Sequence, residues 1–264
     1  AMLIPEVVPG VPARPLLWTS ADPRREEVTY SYEEQARAAV LLRPPGEGPY
    51  GAAIFSLGVD PDLEDPDFLR ITQALARLGV VVLILRSDSL EEVQVSRDEV
   101  DAFVAAFQFL ARQPYVDADR IGYVGICVGG SLSILAATDP RIRDRVAFVN
   151  AFGAYYDILD LVSAVATRQI SYQGDEEPWE PQSLTVDFLQ RGVIGTLPSP
   201  VDRAILTRLL REGAPVTDEA VSDLSADGRL AYDLLTSEAQ RRTSSVTDRL
   251  LGLHFLLQLL QILL

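Results

Sequence analysis

The 264-residue sequence contains no lysine and only one cysteine, one histidine and one methionine. A single cysteine excludes an internal disulfide, so the fold does not depend on an oxidising compartment. The 38 acidic residues outnumber the 23 basic ones, and the net charge is −15. A charge of this sign argues against nucleic acid or an anionic membrane surface as a partner.

The N-terminus lacks the features of a signal peptide. It carries no basic segment, and its apolar run is interrupted by Pro5, Pro9 and Pro12. We therefore expect a cytoplasmic protein. Residues 1–27 are rich in proline and are predicted to form an extended N-terminal arm.

Between residues 28 and 157, apolar runs alternate with amphipathic segments, which indicates strands alternating with helices. A hairpin is predicted from 28–32 and 35–43, and helices are predicted at 68–78 and from about residue 98 to 110. Buried strands are predicted at 51–57, 80–85, 121–124 and 146–152. This order predicts the α/β class, with a mostly parallel twisted sheet flanked by helices.

The pattern changes after Asp157, where helical segments follow one another with polar loops between them. We find no late strand in this part and expect a largely helical, cap-like region at 158–249. An apolar C-terminal helix is predicted at 250–264, which is shorter than the ~20 residues that a membrane span needs. The predicted helices of the cap-like region are 158–167, 182–191, 201–211, 218–224 and 229–235.

The sharpest local pattern is a strand-to-helix turn around the single cysteine, with an apolar strand before it and a helix after it. So tight a turn strains the backbone of Cys127, and its neighbours two positions away must lack side chains, as Gly125 and Gly129 do. Gly130 is a further glycine in the turn. Cys127 would then lie at a helix N-terminus, whose dipole favours a thiolate. The pattern is that of a nucleophile elbow, G-x-S-x-G, with Cys in place of Ser.

This stretch resembles the elbow of the α/β-hydrolases. The cysteine in place of serine, and the pair Asp119-Arg120 before the strand, resemble the sequences of the dienelactone hydrolase branch of that superfamily. The resemblance covers roughly the first 155 residues, so 28–157 is expected to be an α/β-hydrolase-like core. It implies that Cys127 is the nucleophile and that the substrate is a small acyl compound. It also implies an oxyanion hole made of the backbone N–H of Val128 and that of Leu57 or Ser56.

Plainer interpretations of both features stay open. Free cysteine is often buried and inert, so Cys127 could be structural. The segment Gly58-Val59-Asp60-Pro61 could be an ordinary turn at a strand end. No metal-ligand spacing and no glycine-rich phosphate loop are present, so neither a metal nor a cofactor is expected.

The triad is incomplete in the sequence pattern. The family orders its triad as nucleophile, acid and histidine, so only His254 is available as the base. His254, Gln258 and Gln261 also share one helix face at i, i+4 and i+7, which favours a structural polar stripe on an amphipathic helix. The acid candidates lie in the right order, although each is typical of a solvated residue: Asp218, Asp223, Asp227 and Asp233.

Two functions therefore stay open. One is a hydrolase that cleaves a small ester, lactone or similar acyl substrate through Cys127. The other is a catalytically silent hydrolase-like domain with a binding or interaction role, which the missing acid and histidine segment favours. The elbow pattern leads us to expect the hydrolase.

The apolar helix predicted at 250–264 generates the first testable prediction. Each exposed leucine costs roughly 1.5–3 kcal/mol relative to a buried one, so a helix apolar on both sides favours association into a homodimer. We expect Leu256→Asp combined with Leu260→Asp to convert a dimer to a monomer in analytical sedimentation, with residues 28–157 still folded. The alternative is that this helix fills a groove in its own sheet, and a wild-type chain that already sediments as a monomer would contradict the dimer and favour that placement.

Overall fold

A computed structural model describes residues 15–32, 35–96, 98–172 and 174–236. The described residues divide into two compact units, one within 15–92 and 98–155 and the other within 93–96 and 156–236.

The first unit contains a six-stranded sheet in the order β1-β2-β4-β3-β5-β6. The hairpin of β1 and β2 is antiparallel, and β2 pairs antiparallel with β4. The other neighbours, β4 with β3, β3 with β5 and β5 with β6, are parallel. The predicted α/β class with a mostly parallel sheet is confirmed. The strands are β1 (Arg24–Tyr32), β2 (Gln35–Arg43), β3 (Tyr50–Ser56), β4 (Val80–Leu85), β5 (Val116–Ile126) and β6 (Val146–Phe152).

The limits of the helices in the first unit follow from capping residues. The Asp65 carboxylate accepts hydrogen bonds from the N–H groups of Asp67 and Phe68 and so caps α2. Gly79, directly after that helix, adopts a φ of 90°, which glycine tolerates without strain. The helices are α1 (Pro15–Thr19), α2 (Pro66–Arg77), α3 (Asp88–Glu91), α4 (Glu99–Ala111) and α5 (Val128–Thr138).

The extended arm predicted for residues 1–27 differs from the structure in its described part. Residues 15–19 form α1, whose last turn is closed by the Thr19 hydroxyl donating to the Pro15 carbonyl oxygen at 2.8 Å. Proline suits the first position of a helix because its missing N–H is not needed there. Strand β1 starts at Arg24, which pairs with Arg43, rather than at residue 28.

The core around β5 fixes the strand that leads to Cys127. Tyr123 is fully buried, and its ring stacks on Phe103 and Phe107 of α4. Its hydroxyl donates to the Phe103 carbonyl oxygen at 3.1 Å. Burial raises the pKa of Tyr123, so the phenol stays a neutral donor. These contacts tie β5 to the helix layer immediately before the turn.

Strand β6 was predicted to be buried, and this prediction is wrong. Phe148 is 43% exposed and Phe152 is 56% exposed. Among the described residues β6 pairs only with β5, so it forms one end of the sheet. An apolar run predicts a strand, but it does not show whether further elements cover that strand. Exposure at a sheet end is a tertiary property.

The second unit is mainly helical, as expected, but it also contains a hairpin that the sequence analysis missed. Strands β7 (Gln169–Tyr172) and β8 (Asp175–Pro178) pair antiparallel. The acidic residues of β8 have low β-propensity, so the strand is recognisable only from its backbone pairing. The helices are α6 (Ile158–Thr167), α7 (Ser183–Thr196), α8 (Pro200–Leu206), α9 (Asp218–Ser222) and α10 (Ala226–Leu235), with a π-helical segment at Thr207–Arg211.

The described part of the chain ends at residue 236, so the apolar helix predicted at 250–264 lies outside it. No strand described after β6 joins the six-stranded sheet. Of the helices in the described ranges, none has the length and apolar character required to cross a membrane.

The Tyr123 contacts predict a measurable loss on substitution. Tyr123→Phe keeps the ring stacking and removes the hydroxyl donor, so we expect the free energy of unfolding in urea to fall by about 1 kcal/mol. Tyr156→Phe removes an exposed hydroxyl and serves as the control, with no expected change. Equal midpoints for all three proteins would show that the Tyr123 hydrogen bond does not stabilise the core.

Candidate active site

Cys127 lies in the turn between β5 and α5 with φ 55° and ψ −131°. A positive φ is uncommon for a residue with a side chain and costs on the order of 1–3 kcal/mol. The Cys127 N–H donates to the Phe152 carbonyl oxygen at 2.8 Å, and the Cys127 carbonyl oxygen accepts from Gly130 N–H at 2.9 Å. The chain thus holds this strained residue from both β6 and the first turn of α5.

Gly125 and Gly129 lie where strand and helix approach each other too closely for side chains. A Cβ added to Gly125 would lie 2.4 Å from the Gly129 carbonyl oxygen, and one added to Gly129 would lie 2.6 Å from that of Ser56. Both are contacts with backbone, which cannot swing away. Gly130 is less crowded, because its nearest neighbour would be the Ala154 Cβ at 3.0 Å.

The segment after β3 lies directly against the Cys127 turn. A Cβ on Gly58 would lie 2.9 Å from the Ile126 carbonyl oxygen and 3.2 Å from the Cys127 Cβ. Leu57, next to Gly58, and Val128, at the start of α5, therefore belong to two segments in contact. The first N–H groups of a helix have no acceptor within the helix, so they can bind a developing oxyanion.

The Cys127 side chain is exposed. It projects at the N-terminus of α5, where the helix dipole favours an anion. An exposed thiol in this position can act as a nucleophile or be alkylated, whereas a buried structural cysteine is inert. The alternative that Cys127 is an inert structural cysteine requires a buried thiol, and the Cys127 thiol is exposed.

Tyr155 is a residue of this region that the sequence analysis did not identify as functional. It lies in the turn after β6, and the Ser131 hydroxyl of α5 donates to its carbonyl oxygen at 2.9 Å. Burial raises the pKa of the Tyr155 phenol, and the charge of Cys127 raises it further. The sequence offered one signal for Tyr155: it follows β6, which pairs with β5.

The remaining predicted residues lie either outside the described part of the chain or in the second unit. His254 lies outside the described residues. The acid candidates all belong to the second unit: Asp218 on α9, Asp223 just after it, and Asp227 and Asp233 on α10. Within the described ranges, histidine, cysteine and carboxylate side chains form no cluster of three or more that could hold a metal ion.

The segment that contains this turn is similar to a known protein family. Residues 87–170, which include Cys127 and Tyr155, match the model of the dienelactone hydrolase family. A relative from a Bradyrhizobium species, described as a probable 2-oxo-3-(5-oxofuran-2-ylidene)propanoate lactonase, is 27% identical over 182 residues. That match covers 60% of this chain and 71% of the relative.

Two solved structures are similar to this chain at low identity. A dienelactone hydrolase from Anabaena variabilis is 22% identical with a TM-score of 0.44, and the match covers 55% of this chain and 69% of that one. The 2,6-dihydroxy-pseudo-oxynicotine hydrolase is 18% identical with a TM-score of 0.45, covering 64% of this chain and 42% of that one.

The glycine geometry predicts a graded series of stability losses. Gly125→Ala and Gly129→Ala each place a Cβ against backbone, so we expect overpacking losses of about 1–3 kcal/mol or more in urea unfolding. Gly130→Ala should cost less, because the nearest atoms to its added Cβ would be the Ala154 Cβ at 3.0 Å and the Gly125 carbonyl oxygen at 3.2 Å. Gly195→Ala, in α7 with nothing near its added Cβ, is the control and should not destabilise. An unchanged Gly125→Ala protein would contradict this geometry.

Proposed function

We propose, from the premise that this chain is a dienelactone hydrolase-like α/β-hydrolase, that it hydrolyses a lactone or another small ester with Cys127 as the nucleophile. The observation that carries the proposal is an exposed cysteine held at positive φ between β5 and the N-terminus of α5. The lactonase description of the Bradyrhizobium relative supports the substrate class.

In the proposed reaction the Cys127 thiolate attacks the acyl carbon and forms a C–S bond, while the carbonyl electron pair moves onto its oxygen. The tetrahedral intermediate then collapses, the C–O bond to the leaving oxygen breaks, and that oxygen takes a proton. A water molecule cleaves the resulting thioester, releasing the acid and restoring the thiol. No change of oxidation state occurs in any step.

The backbone amides of Val128 and Leu57 are the proposed oxyanion donors. The close contact between Gly58 and the Cys127 turn supports this pairing, because it keeps the two segments at a fixed separation. Donors that are already in place need no reorganisation when negative charge develops, and removing one such donor from an enzyme typically costs about 10²–10³-fold in kcat.

The proton transfer needs a base, and His254 is the only imidazole in the chain. Its role as base is a proposal from the sequence, as is the cap-like role of residues 158–249. A cytoplasmic location is likewise a prediction from composition. The catalytically silent domain is the alternative outcome of the experiment below.

Turnover of p-nitrophenyl acetate and of a small unsaturated lactone tests the proposal. We expect hydrolysis of both by the wild-type protein and a loss of at least about 10³-fold for Cys127→Ala. Iodoacetamide should abolish activity with one equivalent bound, because the chain has one thiol. His254→Ala should reduce the rate if the imidazole is the base.

Ser222→Ala, which removes a hydroxyl from the exposed surface of α9, is the control and should keep the wild-type rate. Equal rates for wild type and Cys127→Ala would exclude Cys127 as the nucleophile. Absence of turnover with both substrates, in a protein whose circular dichroism shows it to be folded, would favour the silent domain.

A further inference from the structure

The hydroxyl group of Tyr155 has no role in the chemistry described above. Its oxygen is buried and has no hydrogen-bond partner in the part of the chain that the structure describes. A buried donor without an acceptor is costly, and native proteins rarely keep one without a structural or functional reason. The location of this donor therefore needs a physical explanation.

Contacts of three residues, Phe152, Ala154 and Tyr155, hold this short segment beside the Cys127 turn. Phe152, at the end of β6, accepts from the Cys127 N–H at 2.8 Å. Ala154 packs against Gly130, and the Tyr155 carbonyl oxygen accepts from the Ser131 hydroxyl at 2.9 Å. The tyrosine is thus anchored to both ends of the turn that positions the sulfur.

Electrostatics link the same two side chains. Burial is the larger cause of the raised Tyr155 pKa, and Cys127 is the charged group that raises it further; no carboxylate or guanidinium of the described residues contributes. The phenol therefore stays protonated at any pH at which a thiol titrates. A protonated phenol near an ionisable sulfur can donate a hydrogen bond but cannot act as a base.

We propose, building on the proposed function, that Tyr155 is a positioning residue whose hydroxyl donates a hydrogen bond to the Cys127 sulfur when the thiol ionises. Rotation about the Cα–Cβ bond of Cys127 moves Sγ between staggered positions, and the proposed bond requires that one of them place Sγ next to the hydroxyl. The thiol proton leaves to solvent or to a base, and Tyr155 keeps its own. The buried donor gains an acceptor in the reactive form of the enzyme.

A hydrogen bond to the charged form favours that form, so it lowers the thiol pKa. Removing the bond should raise the thiol pKa. Because the chain has a single cysteine, the thiolate absorbance at 240 nm and the rate of iodoacetamide alkylation both report on Cys127 alone.

The test compares the pH titration of Cys127 in wild type, Tyr155→Phe and Tyr156→Phe. In Tyr155→Phe we expect the midpoint of both readouts to rise by about one pH unit, as the loss of one charge-assisted hydrogen bond predicts. Tyr156→Phe changes the neighbouring, exposed tyrosine and should keep the wild-type midpoint. The melting temperature of Tyr155→Phe should be no lower than that of wild type, because the hydroxyl lost has no protein partner.

The outcomes separate this proposal from the hydrolase itself. An unchanged midpoint in Tyr155→Phe would overturn the role of Tyr155, even if the wild-type protein hydrolyses esters. A raised thiol midpoint in Tyr155→Phe, together with no ester turnover by the wild-type protein, would support the positioning role of Tyr155 and overturn the proposed hydrolase function. If both hold, the pH profile of kcat/KM should shift with the thiol titration. A shift accompanied by a lower melting temperature would indicate a structural role instead and overturn the proposal.

Discussion

The close approach of α5 to β5 and to the end of β3 is the constraint on which the rest of the site depends. Only glycine fits at positions 125 and 129, because backbone atoms of the opposing segments lie where a Cβ would be. The chain can then reverse within one residue, and that residue takes the strained positive φ observed for Cys127. Two hydrogen bonds hold the strained residue: the Cys127 N–H donates to the Phe152 carbonyl oxygen, and the Gly130 N–H donates to the Cys127 carbonyl oxygen.

The sheet supplies the surroundings of this turn. Strand β5 lies between β3 and β6, so the segments that follow these two neighbours, Leu57–Gly58 and Ala154–Tyr155, reach the same end of the sheet as Cys127. Parallel strands make this possible, because their carboxyl ends meet at one edge. The segment after β3 reaches the Cys127 turn at Gly58, and the segment after β6 reaches it at Ala154 and Tyr155.

The packing beneath the turn explains why its geometry can be maintained. Tyr123 ties β5 to α4 through ring stacking and a hydrogen bond. The N-terminal end of α4 is anchored by buried Glu99, which accepts hydrogen bonds from the hydroxyls of Ser87 and Ser89 after β4. A buried carboxylate is tolerated only when it is paired in this way. The helix layer and two strands thus form one rigid support for the residue that carries the reactive sulfur.

The sequence by itself determined the class of the fold and the position of the turn. Periodicity decides strand against helix, and the limits of β4, β6 and α6 were predicted to the residue; the two glycines around Cys127 signal a backbone that excludes side chains. Tertiary structure alone decided that β6 is exposed, that residues 169–178 form a hairpin and that the backbone of Tyr155 lies beside the Cys127 turn. Local patterns report the conformation of a segment. Burial, pairing partners and the approach of residues distant in the chain depend on which other segments fold against it.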